Sequence, residues 1–129
     1  MMSAVDERAT VPAEVEAAIV DTVLDYFEGW YDGDVARMTR ALHDDLAKRS
    51  LAGDGRGVEE TSAREMIDAT ANGRGKRDDP AERRLSVRVD DVYDTIANVT
   101  VMSVPYAEYV QLVRTADGWK IVNALWQRR

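Results

Sequence analysis

Apolar side chains recur at steps of three and four from Val15 through Ile19, Val23, Tyr26, Phe27 and Trp30. That spacing predicts one long helix with a broad apolar stripe, the main core helix. Pro12 suits its first position, Glu14 and Glu16 complement the positive end of its dipole, and Gly33 is placed to end it. Asp34 is placed to cap a short second helix with Val35, Met38, Ala41 and Leu42 facing inward, and His43 and Asp44 at its end. Residues 46–51 alternate poorly and run into Gly53-Asp54-Gly55-Arg56-Gly57, which reads as a short strand entering a mobile loop. Ser62 followed by Glu65 has the form of a capping box, and Met66, Ile67 and Thr70 supply the inner face of a third helix. Residues 71–80 form a polar crossing that could also serve as a lid.

From Arg83 the period changes to two. Leu85, Val87 and Val89 alternate with Arg84, Ser86 and Arg88, a turn at Asp94-Thr95 follows, and 96–104 alternates again. Pro105 separates this strand from a long hairpin over 106–126, with Ala116-Asp117-Gly118 as a three-residue turn. Pairing Thr115 with Trp119 would set Val113 against Ile121, Gln111 against Asn123 and Tyr109 against Leu125 on one face. Val110, Leu112, Val122, Ala124 and Trp126 would lie on the other. Both faces are apolar enough to want cover: the first is expected to wall a pocket, the second to meet another copy of the chain. Buried Gln111 and Asn123 would have to bond each other, water or a ligand. Three helices, a short strand between the second and third, and a four-strand meander predict an α+β fold. Residues 1–10 are expected to be a flexible tail and 11–129 a single domain.

Composition narrows the chemistry. The chain has 129 residues, no cysteine and one histidine, so disulfides, thiolate metal sites and cysteine nucleophiles are excluded, and neither a metal nor another cofactor is expected. A net charge of −7 opposes a nucleic-acid partner, which calls for a basic face. No stretch approaches the roughly 18 apolar residues of a membrane helix, and the start has neither the basic nor the apolar part of a secretory signal, so a cytoplasmic protein is expected. The glycines at 53–57 lack the Lys-Ser/Thr pair of a phosphate loop and the helix start of a dinucleotide fingerprint.

The stretches 26–34, 41–49, 108–113 and 118–123 resemble the nuclear-transport-factor-2-like superfamily. Within it they are similar to the branch described as putative lumazine-binding, near the SnoaL-like polyketide cyclases. The resemblance covers roughly residues 13–126. It implies a cone-shaped fold, three N-terminal helices packed on a strongly curved, mostly antiparallel sheet, with a pocket between the concave sheet face and the first helices. It also implies a homodimer through sheet surfaces. The superfamily spans isomerases, dehydratases, cyclases, epoxide hydrolases and non-catalytic carriers, so the fold does not select a reaction.

The expectation is therefore a small-molecule-binding domain with an apolar pocket for an aromatic or polycyclic organic ligand, lined by Tyr26, Trp30, His43, Tyr109, Gln111 and Asn123. The alternative is a cyclase, dehydratase or isomerase with His43 as general base, since imidazole titrates near neutral pH. Matching Asp44-Asp45 to the similar pair in ketosteroid isomerases places Ser50 near their catalytic aspartate, which argues against that isomerase type.

Overall fold

The computed structural model describes residues 10–129; the expected tail, apart from Thr10, lies outside them. Helix α1 spans Ala13–Asp32 and ends where Gly33 turns left-handed at φ 68°. Its stripe holds, with Ile19, Val23, Tyr26 and Phe27 buried. Helix α2, Val35–Ala41, begins at Asp34, whose side chain accepts from the Arg37 N–H. Asp25 ties the two helices by accepting from both Arg37 and Arg40. The backbones approach closely at Gly29, where an added Cβ would press on the Met38 amide at 3.1 Å.

Strand β1 runs from Leu42 to Leu51, so His43 stands at its start rather than at a helix end, and the strand is longer than the expected 46–51. It turns through the glycines into a strand not anticipated, β2, Val58–Thr61. Helix α3, Ala63–Ala71, starts with the expected capping box of Ser62 and Glu65. A single 3-10 turn, Pro80–Arg83, closes the polar crossing. The meander follows as β3 (Leu85–Tyr93), β4 (Ile96–Ser103), β5 (Tyr106–Thr115) and β6 (Gly118–Arg128). One open six-stranded sheet results, ordered β2-β1-β6-β5-β4-β3, antiparallel except where β1 joins β6. This is the expected α+β architecture: three helices on one sheet.

The hairpin differs from its predicted register near the turn. Thr115 pairs with Gly118, leaving a two-residue loop, and Leu112 pairs with Ile121. Gly118 takes φ 103°, and the Thr115 hydroxyl donates to its carbonyl and accepts from the Asp117 N–H. A β-bulge then absorbs one residue at Val122, so the predicted pairs Gln111 with Asn123 and Tyr109 with Leu125 are present after all.

Trp119 and Ile121 lie on the covered face as expected, but along β5, and along β6 beyond the bulged Val122, the two faces are exchanged. Val110, Leu112 and Ala124 are buried and Trp126 is half-buried, on the inner face that the helices cover. Tyr109 and Leu125 are 57% and 56% exposed on the outer face. The physical reason lies in the neighbours of each row. The Val110 row continues with Tyr106, Trp119 and Ile121, so covering it removes more apolar area from water than covering the Gln111 row. Helix α1 is held there by the Thr22 hydroxyl, which donates to the Trp119 carbonyl at 3.2 Å.

Candidate functional site

Two strand positions place charge on an otherwise apolar face. In β1, Leu46, Lys48 and Ser50 point inward by alternation; in β5, so do Glu108, Val110 and Leu112. Lys48 is 8% exposed and Glu108 only 2%. Tyr26 reaches them from α1, and all three meet. The Tyr26 hydroxyl donates to Glu108 Oε2 at 2.7 Å and accepts from Lys48 Nζ. Lys48 Nζ also lies 3.7 Å from Glu108 Oε2, and sits over the rings of both Tyr26 and Trp126, about 5 Å from each centroid. Burial first, then the adjacent Glu108 carboxylate, pushes the Tyr26 phenol well above its ordinary range. The phenol is thus neutral and acts as a hydrogen-bond relay between ammonium and carboxylate.

This triad forms the floor of a cavity of about 680 Å³ between the inner sheet face, α1, α3 and the crossing loop. Aromatic walls rise from the floor. Trp30 donates through Nε1 to the Tyr106 hydroxyl at 3.4 Å, and Tyr106 meets Trp126 edge to face with centroids 5.7 Å apart. Met66 and Ala69 of α3 complete the apolar lining. The crossing loop supplies Asn72, Arg74 and Arg77, so this segment is a wall rather than a remote connection. It is seated by Gly75, where any Cβ would overlap the Trp30 indole, and by the Arg77 N–H, which donates to the Tyr31 carbonyl. No group of three or more His, Cys, Asp or Glu among the described residues is arranged to hold a metal ion.

Of the six residues expected to line one pocket, only Tyr26 and Trp30 face this cavity. His43 does not. Its Nδ1 accepts from the Asp45 N–H at 3.0 Å, and the ring stays at the start of β1. Tyr109, Gln111 and Asn123 come together on the outer face, along an open groove shared with Arg49, Arg88 and Leu125. There Asn123 donates to Gln111 Oε1 and Gln111 donates to Asn98 Oδ1, an amide ladder across three strands. The expected bond between the two amides exists, but in solvent. The residues overlooked as lining include Lys48, Glu108, Tyr106, Arg74, Arg77 and Arg128, together with Trp126, assigned to the interface. The available signal was a lone Lys and a lone Glu in phase with buried neighbours two residues away.

The profile of the family described as Putative lumazine-binding matches residues 14–127. No curated protein sequence matches the chain at significance. Solved structures do. An NTF-2-like protein of unknown function from Silicibacter pomeroyi DSS-3 superposes with a TM-score of 0.73 at 15% identity, covering 93% of this chain and 100% of its own. An NTF2-like protein of unknown function from Shewanella baltica OS155 gives 0.70 at 16%, with 94% and 98% covered. Another, from Methylobacillus flagellatus KT, gives 0.69 at 19%, with 95% and 98% covered. At these identities the likeness shows the fold.

Proposed function

Because the chain belongs to the Putative lumazine-binding family of NTF2-like proteins, we propose that it binds a small aromatic or polycyclic organic molecule in the inner cavity. The observation that carries this is the pairing of aromatic walls, Trp30, Tyr106 and Trp126, with a buried polar floor of Tyr26, Lys48 and Glu108. A cavity of about 680 Å³ lies in the size range of ligand sites, and its lining divides between an aromatic and apolar part and a polar, charged part. Flat rings gain from aromatic walls beyond the area they bury. A thermal-shift screen of planar aromatic compounds tests the reading: binders should raise the melting temperature and perturb tryptophan fluorescence. The absence of both across such a library would refute it.

A second reading, cyclase, dehydratase or isomerase chemistry, is favoured by the triad itself. A carboxylate, a phenol and an ammonium in contact within a cavity are the parts of a proton-transfer site. In this reading Glu108 is the base in place of His43, and Glu108→Gln should abolish turnover of a bound substrate while His43→Ala leaves it intact. The homodimer is also proposed, through the outer face with Tyr109 and Leu125 rather than the Val110 row. Its support is the exposure of these two large side chains, paired across β5 and β6. Sedimentation equilibrium should show a dimer, and a monomer at high concentration would end that proposal. No helix among the described residues is long and apolar enough to cross a membrane.

A further inference from the structure

The floor and one wall of the inner cavity differ in charge. At the floor the Lys48 ammonium is already matched by Glu108 and bonded to the Tyr26 hydroxyl. An anion placed there would face the Glu108 carboxylate, so the floor suits an uncharged polar group. The wall is another matter. Arg74, Arg77 and Arg128 all line the cavity, and among the described residues none has a carboxylate within ion-pair distance. Of the acidic side chains on that side, Glu65 is committed to the Ser62 N–H, which leaves Asp68. Arg77 carries a second sign: its Nε is buried and, among the described residues, has no hydrogen-bond partner. A charged donor enclosed without an acceptor is costly, and a carboxylate on the terminal N–H groups of the same guanidinium would offset that cost by neutralising its charge.

We propose that the ligand is an organic anion, a planar ring system bearing a carboxylate, with the ring against Trp30 and Trp126 and the carboxylate on Arg77. This rests on the proposed function and adds the charge and its position. The guanidinium fork presents parallel N–H donors that match a carboxylate in both geometry and charge. Arg77 is also preset relative to the aromatic wall. Its own N–H is anchored on Tyr31, and the loop two residues earlier is pressed against Trp30. Arg128, its guanidinium 5.7 Å from the Tyr106 ring centroid, adds positive potential on the same side.

The test uses 2-naphthoate and its uncharged isostere 2-naphthamide as probes, titrated calorimetrically into the full chain and into Arg77→Gln. The carboxylate should bind the unaltered protein roughly tenfold or more tighter than the amide, as expected for a charge-assisted pair. In Arg77→Gln the two should bind alike; Arg77→Lys, which keeps the charge without the fork, should restore part of the preference. Equal affinities in the unaltered protein would overturn the anion assignment while leaving the ring-binding reading intact. A preference that survives Arg77→Gln, in a variant with an unaltered circular dichroism spectrum, would overturn the role of Arg77. Binding of neither probe would count against the ring-binding reading itself, and this inference would fall with it.

Discussion

Replacing Lys48 by Met should unfold the protein more readily than a one-residue change of similar shape ordinarily does. The Met side chain keeps the apolar stem and a favourable sulfur contact with Trp126 and Tyr26, so little packing is lost. What is lost is the cation facing Glu108. At 3.7 Å and an effective dielectric of about 20, that attraction is worth roughly 4–5 kcal/mol before desolvation is subtracted. Glu108, 2% exposed, would retain the Tyr26 hydroxyl and no positive charge beside it. Breaking a buried pair from one side costs about 3–5 kcal/mol, because the remaining charge is uncompensated. Adding Glu108→Gln to Lys48→Met removes that charge while keeping an acceptor for Tyr26, so the double variant should recover most of the loss. Urea denaturation of the four proteins, followed by circular dichroism, gives the coupling energy directly. A value above about 2 kcal/mol is expected for charges in contact in a buried site. A Lys48→Met cost below about 1 kcal/mol, or simple additivity, would mean that the pair is solvated and that the triad is not a buried ionic unit.

Two further outcomes follow from the same cavity. Gly75→Ala should destabilise by about 1–3 kcal/mol and change the tryptophan emission, because the new methyl must displace the Trp30 indole or the loop; the same substitution in a Trp30→Leu background should be nearly silent, and equal costs in both would disprove the contact. Tyr26 has a folded-state pKa raised above its unfolded value by burial and by Glu108, so its contribution to stability is complete below about pH 10 and is lost as pH rises through the folded value. Burial raises the Tyr31 phenol as well, so an alkaline ultraviolet titration should show two phenols ionising late, Tyr26 only as the protein unfolds, and Tyr26→Phe should remove one of them; a variant that keeps both would refute the assignment.

Helices α1 and α3 were legible because their signals are local. A four-turn apolar stripe and a capping box need no distant partner, and the buried Ile19, Val23 and Phe27 and the Ser62–Glu65 pair stand where the spacing puts them. Strand β2 was not legible: Val58-Glu59-Glu60-Thr61 is exposed along almost its whole length and exists through its pairing with β1. The start of β1 is equally silent, since His43-Asp44-Asp45 becomes strand within an element joined to β6, some eighty positions on. At the hairpin, the pairing of Gln111 with Asn123 was legible and the choice of face was not. Both rows are apolar, and the sequence around Val122 carries no local mark of a bulge. Lys48 and Glu108 were readable in principle as charges in phase with buried strand neighbours, but only once the covered face was known.

Adjacent residues of β5 show why the inner face is the better place for function. Glu108 and Tyr109 point to opposite sides of one strand, and so enter different electrostatic worlds. Outside, the amide ladder of Asn98, Gln111 and Asn123 satisfies itself and can also be wetted, so it asks nothing of a ligand. Inside, a lysine and a glutamate are withdrawn from water where apolar side chains of similar volume would give equal or greater stability. A pair of that kind is poorly explained by stability alone, and its surroundings supply the other explanation: it lines the cavity floor beneath Trp126 rather than lying in a filled core. Under the proposed function, the ionic floor is a fixed polar surface against which a bound molecule would be oriented, with Tyr26 hydrogen-bonded to both charges.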